Sequence, residues 1–116
     1  MTKQIRSLLV LAAALLLAGA VSSAQSAGEV TYKSKCAACH GATGTPSAGM
    51  TKMMGVKPAA DPAIMKLNEA EMLAAVKNGK GKMKPVAGLT PEQMKAAVAY
   101  YRTLHMLNPQ PLPPGL

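Results

Sequence analysis

Cys36-Ala37-Ala38-Cys39-His40 decides how this chain is read, and it holds the only two cysteines in 116 residues. C-x-x-C-H is the spacing of covalent haem attachment. Residues three apart lie on one face of a helical turn. Two thiols so placed can add to the two vinyl groups along one edge of a porphyrin. The imidazole of His40 then comes under the iron as proximal ligand, a normal axial group for haem iron. Other readings of the motif fit less well. A dithiol redox centre needs a strand–turn–helix setting, and no convincing strand precedes Cys36. Tetrahedral zinc needs four ligands, and the chain offers only His40 and the distant His105 beyond its cysteines. A disulfide between Cys36 and Cys39 would close a tiny loop and constrain little.

The composition fits a small domain that needs a cofactor. There is no Trp or Phe, only three Tyr, and the formal charge is +8. Lys3 and Arg6 precede an apolar run, Leu8 to Ala20, and small residues follow at Ser22-Ser23-Ala24 and Ser26-Ala27. This is the pattern of a secretory signal peptide, residues 1–24, cleaved after Ala24 or Ala27. The run is shorter than the ~20 residues a membrane-spanning helix needs, so no stable membrane insertion is expected after cleavage. Residues 25–107 form one domain, and residues 108–116 a Pro-rich, polyproline-like tail. A domain this small buries little surface and often depends on a bound group for stability.

Residues 28–36 read as a short amphipathic helix leading into the motif. Gly41 to Met50 is rich in Gly, Thr, Pro and Ser and reads as loop. Asp61-Pro62 is a helix start, with Asp as cap and Pro in the first turn, good for one turn through Lys66. Asn68 and Glu71 form a capping box for a helix that Gly79 ends. Thr90 and Gln93 form a second box. It opens a helix whose apolar residues recur at Met94, Ala97, Val98, Tyr101 and Leu104. Nothing supports a sheet.

A haem iron held by His40 has a sixth position to fill or leave open. Met83 is the strongest candidate. It lies in a loop, after Gly79 and Gly81, which let the backbone approach a flat ligand, and before Pro85, which stiffens the chain on its far side. A thioether ligand raises the reduction potential. Met50, Met53 and Met54 are the rivals. Met65, Met72 and Met94 sit at helix positions where packing is the expected role. His105 ends the last helix and reads as a packing or surface residue.

With these residues in view, the chain resembles the small class I c-type cytochromes of the bacterial short-chain kind. The resemblance runs from Gly28 to Leu104. Gly28-x-x-x-Tyr32 with Cys36-Ala37-Ala38-Cys39-His40-Gly41 matches the family's first helix. Gly79-Lys80-Gly81-Lys82-Met83 matches its axial methionine loop, although Lys84 separates Met83 from Pro85 where the family usually has proline next. Leu89-Thr90-Pro91-Glu92-Gln93 and Ala99-Tyr100-Tyr101-Arg102-Thr103-Leu104 match its last helix. The resemblance implies an all-α cytochrome c fold, three to five short helices wrapped around one covalent haem c, with crossed N- and C-terminal helices. It implies that Gly28 and Tyr32 meet Tyr100 at the crossing. It also implies that the Pro46 carbonyl accepts the second N–H of His40 and that Tyr101 packs beside the haem.

The expected function is that of a soluble electron carrier, not an enzyme. It would be exported to the periplasm, monomeric, and shuttle single electrons between protein partners through His/Met-ligated iron. Lys80, Lys82 and Lys84 flank the expected ligand and would favour an acidic docking partner. Lys33, Lys35, Lys52 and Lys57 extend the basic character. Nucleic-acid binding has charge in its favour but no motif or aromatic interleaving. Two alternatives are an electron-entry subunit of a larger oxidoreductase and a sensor or peroxidase-like protein with an open sixth position. The last would need a distal acid–base group, and beyond His105 the chain has no histidine for it.

Overall fold

Four of the helices begin where a short polar side chain, Ser47, Asp61, Asn68 or Thr90, satisfies a free N–H group of the first turn. The computed structural model describes residues 27–107. The expected signal peptide and the tail from 108 lie outside them. Helix α1 covers 27–35. It is followed by α2 (Ala37–His40), α3 (Ala48–Met54), α4 (Pro62–Met65), α5 (Glu69–Asn78) and α6 (Pro91–Leu107). No strand is present among the described residues; an isolated bridge pairs Lys80 with Met83. The fold is all-α, as the patterning implies.

α1 and α2 are nearly one rod. Cys36 N–H bonds to the Tyr32 carbonyl at 2.8 Å, and His40 N–H to the Cys36 carbonyl at 2.9 Å, so the ladder continues through the break at Cys36. The caps fall where the sequence places them. Asp61 accepts from the Ala63 N–H, Asn68 and Glu71 form a complete capping box, and Thr90 and Gln93 exchange bonds at 2.9 and 3.2 Å. The loop expected from Gly41 to Met50 is shorter than that. Ser47 accepts from the Met50 N–H and starts α3 at Ala48. Gly49 in the first turn, a poor helix former, disguises this start in the sequence.

α1 meets α6 at Gly28. That glycine is buried, and a Cβ there would run into the Ala96 carbonyl oxygen and sit 3.2 Å from the Tyr100 Cβ. Close approach brings the tyrosines together. The Tyr32 ring lies 5.4 Å from that of Tyr100 and stacks at 5.8 Å on that of Tyr101. Tyr32, Ala59 and Leu104 form a buried cluster, with Tyr32 only 1 % exposed. Ala59 N–H bonds to the Gly44 carbonyl at 2.8 Å, which pins the chain after α2 to the segment before α4. α5 packs on α6, where Met72, Ala97 and Val98 are buried. The Arg102–Glu69 pair, at 4.0 Å and well exposed, adds little. No helix among the described residues is long and apolar enough to cross a membrane.

Gly28→Ala forces the two helices apart at their closest point. Such overpacking costs about 2 kcal/mol, which for a domain of this size lowers the melting temperature by roughly 10 °C. Thermal unfolding of the holoprotein, followed by circular dichroism, checks this.

Candidate functional site

The helical ladder through α1 and α2 carries Cys36, Cys39 and His40 on one turn. At Gly41 the chain leaves the helix with φ of 82°. A Cβ at Gly41 would collide with the Thr45 carbonyl oxygen, so only glycine turns the chain here. The Tyr32 hydroxyl donates to the Gly41 carbonyl at 2.7 Å. This bond bridges nine residues and fastens the end of the motif to the helix crossing. Sequence reasoning gave Tyr32 a role at the crossing and missed this second one. The available sign was spacing, because Tyr32 lies one turn ahead of Cys36.

Beneath the motif lies a cavity of about 510 Å³. Cys36, Cys39, His40, Met83 and Tyr101 all line it. Its remaining wall is largely apolar, from Met54, Val56, Ile64, Leu67, Met72, Val76, Leu89, Ala97 and Val98. Of the rival methionines, Met54 reaches the wall and Met50 and Met53 do not. Met53 is well exposed at 67 %. Met72 is a wall residue but is buried in the α5 packing. His105, Met65 and Met94 are absent from the lining.

Met83 stands at the end of a tight hairpin. Lys80 N–H bonds to the Met83 carbonyl and Met83 N–H to the Lys80 carbonyl, both at 2.9 Å. Gly79 packs under it, so close that a Cβ would lie 2.7 Å from the Met83 oxygen and 3.0 Å from Pro85 Cδ. Pro85 therefore buttresses the turn through Gly79 even with Lys84 intervening. Val86 N–H bonds to the Val76 carbonyl at 2.9 Å and ties the hairpin's far side to α5.

The electrostatics suit a neutral, soft ligand set. Burial lowers the pKa of His40, which keeps the imidazole neutral and its lone pair available. Burial, with a smaller contribution from Cys39, raises that of the Cys36 thiol. The two thiols are not joined to each other. Tyr32 is raised by burial foremost, and Tyr101, also chiefly by burial, is pushed up to about 12. The His40 ring meets the Tyr101 ring edge-on at 5.4 Å. His40 Nδ1 is buried without a hydrogen-bond partner. The bond expected from the Pro46 carbonyl is thus not formed, although Pro46 itself is buried. A buried, unpartnered imidazole nitrogen costs free energy unless something supplies a partner. Two thiols, a buried neutral imidazole and an apolar cavity fit a bound haem.

These features define the class: an all-α, class I c-type cytochrome-like protein. The sequence family described as "Cytochrome C oxidase, cbb3-type, subunit III" matches residues 23–100, and the chain belongs to it. No curated protein shows a significant match to the chain. Membership brings covalently bound haem c and haem-based electron transfer with protein redox partners.

Tyr32→Phe keeps the ring stack and removes the bond to Gly41. The Gly41 carbonyl keeps its longer bond from the Gly44 N–H at 3.2 Å, so the loss is that of one hydrogen bond, about 1 kcal/mol. The expected outcome is a lower midpoint in denaturant unfolding of the holoprotein, with the ring-packing substitution Tyr32→Leu costing more.

Proposed function

We propose that the chain is a monohaem electron carrier that works outside the cytoplasm with iron ligated by His40 and Met83. Bound haem supplies a one-electron Fe(III)/Fe(II) couple. Cys36 and Cys39 would fix it through their Sγ atoms and prevent its loss. His40, kept neutral by burial, would give one ring nitrogen to the metal. The Met83 thioether would be the second ligand and would favour the reduced state. The apolar wall would exclude water, which holds the potential up further. With His40 and Met83 held in place by the fold, the residues around the group would need to rearrange little on electron transfer. The observation that carries this reading is that Met83, far from the motif in sequence, lines one cavity with Cys36, Cys39 and His40. Among the rival methionines of α3, only Met54 shares that wall.

Partner choice would rest on charge. Lys35, Lys57, Lys80, Lys82 and Lys84 all line the cavity, and no Asp or Glu does. A rim of one sign speeds encounter with an acidic surface and lets the complex part quickly. The export segment read at residues 1–24 would deliver the chain to the periplasm, with the domain starting at residue 25 and the Pro-rich 108–116 following it.

A second reading is favoured by the family's description: the chain would be the electron-entry subunit of an oxidase. Elution of the native protein with a larger membrane complex supports this reading; elution alone as a monomer supports the free carrier.

Optical spectra and a redox titration test the ligand set. The wild type should show a weak Fe(III) band at the red end that reports sulfur ligation. Met83→Ala should abolish that band and lower the midpoint potential. An unchanged band and potential would transfer the role to Met54. Raising ionic strength from about 10 mM to about 0.15 M shortens the screening length several-fold. The second-order rate with an acidic redox partner should then fall by about tenfold or more; a salt-independent rate removes the lysine docking face.

A further inference from the structure

We infer that Lys82 is a positioning residue for the axial methionine. Its ammonium braces the 80–83 hairpin to the end of α3 and holds Met83 at its wall of the cavity. The inference rests on the proposed His40/Met83 ligation and adds a component to it.

Lys82 Nζ donates to the Met53 carbonyl oxygen at 2.8 Å, across 29 residues of sequence. The acceptor is a special one. The last four carbonyls of a helix have no partner within it. In α3 the Gly55 N–H takes the Thr51 carbonyl, and Lys82 takes that of Met53. A cation at this position also meets the negative end of the helix dipole. Short as α3 is, the carbonyl of its penultimate residue, Met53, is the only acceptor required.

The two segments so joined are different parts of one wall. Met54, Gly55 and Val56 at the end of α3 line the cavity, and so do Lys80, Lys82 and Met83. The hairpin is closed on itself by the paired Lys80 and Met83 bonds. On one side it is tied to α5 through Val86 and Val76. Lys82, the residue immediately before Met83, ties it on the other. A ligand-bearing turn anchored at one side can swing; anchored at both, it keeps its distance from the opposite wall. The bond is to a neutral carbonyl, so the charge of Lys82 still adds to the basic rim. Its ammonium, though exposed, is turned onto the α3 carbonyl rather than extended toward a partner. This gives Lys82 a role distinct from the docking role of Lys80 and Lys84.

The test is imidazole binding to the oxidised holoprotein. Imidazole competes with the Met83 thioether for the sixth position, so its apparent affinity rises with the fraction of molecules in which that thioether is detached. Lys82→Gln should raise the apparent affinity about threefold, the effect of losing a solvent-exposed charged bond, and weaken the red-end sulfur band. Lys82→Arg, which keeps a cationic donor, should restore both. Lys77→Gln, an exposed charge on α5 away from the cavity, should change neither. An unchanged affinity in Lys82→Gln, with a clear rise in Met83→Ala, overturns the brace and leaves the ligation reading standing. An equal rise in Lys82→Gln and Lys77→Gln assigns the effect to net charge and also overturns it. If Met83→Ala itself leaves the affinity unchanged, the ligation reading fails and the brace falls with it.

Discussion

The contact on which the rest depends is the crossing of α1 and α6 at Gly28. Missing one side chain there, α1 comes against the Ala96 carbonyl, and only then do Tyr32, Tyr100 and Tyr101 reach one another. Tyr32 passes the constraint on. Its ring stacks on α6, and its hydroxyl holds Gly41, the residue at which the chain turns out of the attachment motif. His40 is thereby set edge-on to Tyr101. A backbone close approach at one end of α1 fixes an imidazole at the end of α2.

The core that results is small. The buried hydrophobic cluster is Tyr32, Ala59 and Leu104, of which Tyr32 also reaches the cavity wall, and the chain has no Trp or Phe to enlarge it. Side chains that would be core in an ordinary helical domain, such as Met72, Ala97 and Val98, line a cavity instead. Much of the apolar surface of α5 and α6 faces the place of the cofactor. Hydrophobic stabilisation grows with area removed from water. The haem is therefore a structural member of this domain as well as its redox centre, and covalent attachment makes that contribution permanent.

Much of this was legible in the sequence because it is local. The caps at Asp61, Asn68 and Thr90 are short-range hydrogen bonds between residues a few positions apart, and the sequence carries both partners. The face Ala97, Val98, Leu104 is set by helical period. The motif Cys36 to His40 is one turn of helix. The meeting of Gly28 with Tyr100 was legible only through family resemblance, since nothing local announces it. Three features were not legible. Ser47 is followed by Ala48-Gly49, so the cap of α3 reads as more loop. The bond from Tyr32 to Gly41 depends on how the chain turns after the helix. The bond from Lys82 to Met53 joins segments whose proximity is a product of the whole fold. Lysines at the rim of a site look alike in sequence, and only their acceptors tell them apart. The orphaned Nδ1 of His40 likewise differs from the expected bond to Pro46 because a loop carbonyl's direction is set by tertiary packing.

The aromatic column has an optical consequence. With no tryptophan, all near-ultraviolet emission of the polypeptide comes from Tyr32, Tyr100 and Tyr101. Tyr32 touches both of the others, and Tyr101 abuts His40. Every intrinsic fluorophore of the chain is thus held within a few side-chain widths of a strongly absorbing porphyrin. Energy transfer to the bound haem would keep the native protein dark. Opening the α1–α6 crossing would separate Tyr100 and Tyr101 from a haem that, on the proposed attachment, would stay with Cys36 and Cys39, and the emission would return. The molecule carries its own distance gauge for the one helix contact that holds it together.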